Sequence, residues 1–230
     1  MYVLHYAPDN ASLIVRLVLE ELGQPYRTRL VDRSTRQQDS AGYRRLNPGG
    51  LIPALETPDG PVFETAAILL WLSERHAALA PQPGSPERGA FLKWLFFTSN
   101  TLHADMRLHF YPERHAGAPE AVPAFAAATR ARILGHLGLL EGMAGTRPDW
   151  FLPDAPSVLT FYISCLLRWL ALYPRNAADW FDLSGWPSLR DVASAMEARP
   201  AATKAALAEG LGATIFTSPT LACPPEGSAT

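Results

Sequence analysis

Glu64-Thr65 stands where the short run Val62-Phe63 gives way to a helical pattern, and that junction can do chemistry. Thr65 brings a hydroxyl to a helix tip whose first N–H groups lack intrahelical partners and carry the positive end of the helix dipole, so an anion is favoured there. An ordinary capped helix would use the same residue. A second polar group opens the first helix: Asn10 and Ser12 flank Ala11, as N-cap and first-turn residue, or as donors to a bound anion. Tyr6 ends the first strand, packed in the sheet or turned to the same end. Asn100, His103 and Arg107 recur at i, i+3 and i+7, one stripe of a helix opposite its apolar face, suited to line a cleft or to meet solvent. The two cysteines, Cys165 and Cys223, show no metal-ligand spacing, and no metal is expected. Cys165 reads as a buried inert thiol and Cys223 as exposed.

These residues need elements to position them. Tyr2 to Ala7 is a run of β-formers stopped by Pro8-Asp9-Asn10. Ala11 to Leu22 is helical, with Ile14, Leu17 and Val18 on one face, Glu20-Glu21 toward solvent and Gly23 as its stop. Tyr26 to Val31 reads as a second strand, which makes a right-handed βαβ unit with two parallel strands. A short helix follows around Ser40 to Leu46, and Leu51 to Thr57 joins Val62-Phe63 through the turn Pro58-Asp59-Gly60. The helix opened by Glu64-Thr65 ends near Arg75-His76. Beyond Pro81, Pro83, Gly84, Ser85 and Pro86 everything is helical: a long helix with Phe91, Trp94, Leu95, Thr98 and Leu102 at steps of three and four, then Ala121 to Met143, Ser157 to Leu172, Leu189 to Met196 and Ala201 to Ala208. The expected division is an α/β domain over residues 1–78 in the order β-α-β-α-β-β-α, a linker at 79–86, an all-α helical bundle over 87–216 and a flexible tail at 217–230.

Composition closes several routes. The 230 residues are 48% hydrophobic and 18% charged, which is ordinary for a folded chain. Twenty Lys+Arg against 22 Asp+Glu leave a net charge of −2, so there is no cationic field to draw nucleic acid. The start Met-Tyr-Val-Leu-His-Tyr lacks the form of an export signal, and apolar runs such as Ala66 to Leu72 fall short of the ~20 residues that span a bilayer. No nucleic acid and no membrane are expected as partners, and a reducing, cytoplasmic location fits the two cysteines.

Three segments, set in this element order, carry a resemblance over nearly the whole chain: Asn47 to Leu55 (NPGGLIPAL), Phe63 to Ile68 (FETAAI), and Ala198-Arg199-Pro200-Ala201 leading to Glu209-Gly210-Leu211. They resemble the glutathione transferase superfamily, with a thioredoxin-like domain followed by a helical bundle. The resemblance implies a cis bond before Pro53 and an Ile52 backbone that meets the cysteinyl part of glutathione. It implies that Thr65 takes the γ-glutamyl carboxylate and Glu64 the ammonium group. Among Arg33, Arg36, Gln37 and Gln38 it implies a partner for the glycine carboxylate, with Arg36 carried as the candidate. Leu51 stands where bacterial relatives often place a polar residue.

Matched backward from Leu19-Glu20-Glu21, the chain is similar to bacterial beta-class enzymes, but Ala11 replaces their catalytic cysteine. The resemblance then implies that Ser12, then Asn10, then Tyr6 holds the thiolate. A thiol of pKa near 8.5 is only a few per cent ionised at pH 7, and lowering that value by two units needs about 2.7 kcal/mol. Thr101-Leu102-His103 is similar to a segment whose histidine approaches glutathione, and Phe110, Tyr111 and Trp169 are candidates for an apolar acceptor pocket. Implied as a whole is a homodimeric glutathione S-transferase of detoxification type, with glutathione as cosubstrate and a small hydrophobic electrophile. The alternatives are a glutathione-dependent peroxidase or isomerase, or a non-catalytic ligand-binding or interaction protein. The central bundle helix keeps Ser157 but has Thr160 where the family has an acid, so a poor capping box is expected.

Overall fold

The computed structural model describes residues 1–175 and 177–229; Thr230, the last residue of the expected tail, lies outside them. β1 (Tyr2–Tyr6), α1 (Ser12–Glu21) and β2 (Tyr26–Leu30) form the crossover unit, with Tyr2 opposite Tyr26 and Tyr6 opposite Leu30 in parallel. A short α2 (Ala41–Arg44) leads to β3 (Ala54–Thr57) and β4 (Gly60–Phe63), an antiparallel hairpin closed by Thr57 Oγ1 donating to the Gly60 carbonyl at 2.7 Å. β3 also runs antiparallel to β1, so the mixed four-stranded sheet has the order β2-β1-β3-β4. The strand expected from Leu51 begins only at Ala54, because Leu51 and Ile52 lie outside the ladder.

α3 (Thr65–Arg75) completes this part, and the rest is helical: α4 (Arg88–Phe97), α5 (His103–Phe110), α6 (Val122–Gly145), α7 (Val158–Leu172), α8 (Pro187–Glu197) and α9 (Pro200–Glu209). The architecture is the one the sequence implies, an α/β thioredoxin-like sheet followed by a helical bundle. α1 lies between the sheet and α7 and α9, which buries Leu13, Ile14, Leu17 and Val18 completely. Its two acids are not free in solvent as expected: Tyr26 donates to Glu20 at 2.6 Å and Arg199 Nε to Glu21 at 2.9 Å. No helix among the described residues is long and apolar enough to cross a membrane.

Two expectations change. The long helix over Phe91 to Arg107 is interrupted by a π-helical turn at Thr98–Leu102, which contains Asn100 and ends just before His103. Thr160 does close the capping box, contrary to the expectation of a poor one: the Ser157 N–H donates to its Oγ1 at 3.0 Å while Ser157 Oγ accepts from the Leu159 and Thr160 N–H groups, so a hydroxyl takes the acid's part. Residues 217–229 contain no helix or strand, and hydrogen bonds tie them down at Thr217 and Cys223. The Thr217 N–H and hydroxyl donate to Glu197, and the Cys223 N–H donates to the Gly210 carbonyl at 2.8 Å.

Candidate functional site

Strand register brings the predicted residues to one end of the sheet. With His5 opposite Ala54 and Ala54 opposite Phe63, the next step sets Tyr6 beside Pro53 and Pro53 beside Glu64. The β1–α1 loop, the Ile52–Pro53 pair and the tip of α3 therefore adjoin. The Ile52–Pro53 peptide is cis. Tyr43 and Asn47 hold this turn by donating to the Leu51 carbonyl at 2.7 and 2.8 Å. That carbonyl is fully used, and the Leu51 side chain is exposed without a polar role. Neither the N–H nor the C=O of Ile52 meets a partner among the described residues, so an extended chain laid beside it would find one donor and one acceptor.

Glu64 holds φ 69°, ψ 117° at the N-cap of α3, a conformation rare for a residue with a side chain and typical of places where function imposes it. Its carboxylate has no cation among the described residues, and no side chain caps the helix. Thr65 is buried at the first helical position with its hydroxyl unpaired among the described residues. Free first-turn N–H groups, a hydroxyl and a carboxylate thus stand together at the tip of α3, a set that suits a ligand carrying both a carboxylate and an ammonium group.

The β1–α1 loop treats the three thiolate candidates differently. Ser12 is wholly buried, and its Oγ donates to the Ala7 carbonyl at 3.0 Å and accepts from the Ala7 N–H at 3.2 Å. Its hydroxyl closes the loop rather than facing a ligand. Tyr6 is buried under Arg16, whose guanidinium lies 4.7 Å from the ring centroid, and its hydroxyl donates to Glu226. Burial first, then the Glu226 carboxylate, push this phenol far above its usual pKa. Asn10 is half-exposed; its Oδ1 accepts from the Ala11 N–H at 2.8 Å, which leaves the amide NH2 unpaired among the described residues.

What fixes this loop lies far away in sequence. Asp9, at φ 47° and buried, receives Arg168 Nε at 2.8 Å and Nη2 at 2.9 Å, Trp169 Nε1 at 2.8 Å and the Tyr173 hydroxyl at 3.0 Å. Its own N–H donates to Glu209 Oε2 at 2.8 Å, while Arg16 Nε donates to Glu209 Oε1 at 2.7 Å. Sequence reasoning missed these roles, although one signal was present: Arg168 is a lone charge inside the apolar run Ser157 to Leu172, and a buried charge requires a partner.

From the helical side, His103 Nδ1 lies 2.7 Å from the Tyr162 hydroxyl, and Glu64 is close enough to that phenol to help raise its pKa. Burial, aided by the charge of Arg107, lowers His103 to about 4, so it is neutral at pH 7. Asn100 and Arg107 are exposed, and Asn100 accepts from Ser99 Oγ at 2.9 Å. Trp169 is spent on Asp9, Phe110 packs against Tyr173, and Tyr111 meets Arg33. Arg36 sits exposed on the rim and pairs with Asp39 at 2.8 Å, whereas Gln38 presents a buried, unpartnered Oε1. A cavity of about 310 Å³ between Leu79 and Glu87 and the stretch Asp149 to Ser157 shares no residue with this site. No cluster of potential metal ligands occurs among the described residues.

A family model for the glutathione S-transferase N-terminal domain matches residues 11–75. The crystal structure of a glutathione transferase from Methylococcus capsulatus strain Bath is 30% identical, with 89% of this chain and 97% of that chain covered at a TM-score of 0.71. The chain belongs to the glutathione transferase superfamily. A sphingomonad glutathione S-transferase solved in complex with glutathione is 27% identical over 88% of this chain and 96% of its own, with a TM-score of 0.72. The disulfide-bond oxidoreductase YfcG of Escherichia coli strain K12 is 28% identical over 92% of this chain and 97% of that protein. Probable elongation factor 1-gamma 2 of Arabidopsis thaliana is 36% identical over 40% of this chain, which spans only 22% of that longer protein.

Proposed function

We propose that this glutathione transferase superfamily member binds glutathione along the sheet end and activates its thiol for attack on a hydrophobic electrophile. One observation carries the reading: the unpartnered Ile52 N–H and C=O adjoin the uncapped tip of α3, with Thr65 and the free Glu64 carboxylate beside it. In this reading Ile52 pairs with the cysteinyl main chain, Thr65 and the first-turn N–H groups take the γ-glutamyl carboxylate, and Glu64 takes the ammonium group. Pro53 ends the turn that presents Ile52, and neutral His103, held by Tyr162, closes the site from the helical side. The thiol then points to the β1–α1 loop, where the Asn10 amide and the N-terminus of α1 stabilise the thiolate. Ser12 is a loop-closing residue, and Tyr6 reaches a ligand only when Glu226 leaves it. Ala11 leaves no cysteine at this helix start, so no mixed disulfide forms at that position.

For the glycine carboxylate the candidate stays Arg36, exposed at the rim after β2, since a carboxylate needs a cation or an N–H donor. A homodimer in a reducing cytoplasm completes the proposal; Phe63 on β4 and Phe96 on α4 are exposed aromatics suited to such an interface. Glutathione-agarose retention followed by a chloroaryl conjugation assay tests the reading, and retention with turnover is expected. A second reading, a glutathione-binding protein without turnover, is favoured by the engagement of both the Tyr6 and Ser12 hydroxyls, and retention without turnover selects it.

A further inference from the structure

We propose that residues 225–229 are a displaceable internal ligand of this site, covering its acceptor side until a bound molecule lifts them. The inference rests on the glutathione reading and concerns how that site is regulated. Contacts of three of its residues, Glu226, Gly227 and Ala229, place the segment there. The Tyr6 hydroxyl donates to Glu226, Arg33 Nη1 donates to the Ala229 carbonyl at 2.9 Å, and Arg33 Nη2 donates to Tyr111 at 3.2 Å beside it. Gly227, at φ 72°, runs so close that a Cβ would stand 2.7 Å from Leu30 Cδ1 and 3.3 Å from Pro8 Cδ. Pro8 and Tyr6 border the loop that holds Asn10, and Arg33 follows β2 at the same sheet end. The segment therefore occupies a hydroxyl and a guanidinium otherwise available to a thiol and a carboxylate.

The stretch that leads to the segment and the segment itself are held differently. Up to Cys223 the chain is anchored by buried charges: Arg168 Nη2 donates to the Thr220 carbonyl at 3.0 Å, Glu197 accepts from Thr217, and the Cys223 N–H meets the Gly210 carbonyl. Pro224-Pro225 follows, and the fixed φ of both rings makes a stiff arm. Beyond it Glu226 and Gly227 are exposed and the segment pairs with no strand; side-chain hydrogen bonds, the packing of Gly227 on Leu30 and Pro8, and the burial of Ala229 are among what holds it. Lifting residues 225–229 leaves the anchors in place.

A site open only a fraction of the time binds with its apparent Kd raised by the inverse of that fraction. Calorimetry with reduced glutathione on the full chain, on a variant lacking residues 225–230 and on Glu226→Ala tests the idea. Expected are about tenfold tighter binding after truncation, an intermediate gain for Glu226→Ala, and faster amide exchange at Glu226 to Ala229 when the full chain is saturated. Truncated and full chains that bind within twofold of each other, with unchanged exchange, overturn the lid and leave the glutathione site standing. Weaker binding on truncation overturns it too, by making the segment part of the binding surface. Absence of binding by every form overturns the glutathione reading and the lid together. Should truncation impair folding, Glu226→Ala and the exchange measurement decide.

Discussion

Asp9→Asn is the perturbation whose size follows most directly from the structure. The Asp9 and Arg168 side chains are both 0% exposed, and the carboxylate accepts from four donors: two of Arg168, the Trp169 indole and the Tyr173 hydroxyl. Asparagine keeps the volume but removes the charge and turns one acceptor into a donor that faces another donor. Arg168 then keeps the Ile215 and Thr220 carbonyls, each at 3.0 Å, and at most one neutral amide oxygen, and remains a buried cation that has lost its carboxylate. Removing one member of such a pair costs about 3–5 kcal/mol. Urea unfolding followed by the fluorescence of the six tryptophans reads this as a lowered midpoint. Adding Arg168→Met to Asp9→Asn should cost less than the two single losses summed, by about 2 kcal/mol, because the stranded cation is gone. A loss below about 1 kcal/mol for Asp9→Asn, or strict additivity in the double variant, refutes the reasoning.

Ser12→Ala should lower stability by about 1–2 kcal/mol, by stranding the buried Ala7 groups, and leave the pH at which activity appears unchanged; Asn10→Ala should move that pH upward, read from conjugation rates against pH. A histidine lowered to about 4 stays neutral in the fold while the unfolded chain takes up a proton below about 6.5. Stability from His103 is thus present at neutral pH and lost as pH falls from about 6.5 to 4, by at most about 3 kcal/mol, and His103→Gln should flatten that slope in melts at stepped pH. Gly210→Ala puts a Cβ 1.9 Å from the Cys223 carbonyl at φ 65°, so it should cost at least about 2 kcal/mol and speed amide exchange at Cys223.

Features written in local spacing were legible in the sequence. The β-former runs with their proline and glycine stops yielded the element order, and the Glu64-Thr65 junction located the helix tip that the register then placed beside Ile52. Features that depend on distant partners were not. Ser12 looks like a ligand group when only its neighbours are known, and the inward turn of its hydroxyl follows from how the loop curls back on Ala7. Asp9 meets Arg168 across 159 positions and Tyr6 meets Glu226 across 220, so no periodicity in either segment signals the pairing. The Pro-, Ser- and Thr-rich composition of residues 217–229 reports absence of regular structure, which differs from absence of contacts.

Amide chemical shifts of the full chain titrated with reduced glutathione probe the proposed cradle residue by residue. The account predicts saturable shifts centred on Ile52, Thr65 and Ala66, weakened about tenfold or more by Thr65→Val. Shifts centred elsewhere, such as on the cavity beside Trp150, or none at all, would contradict it.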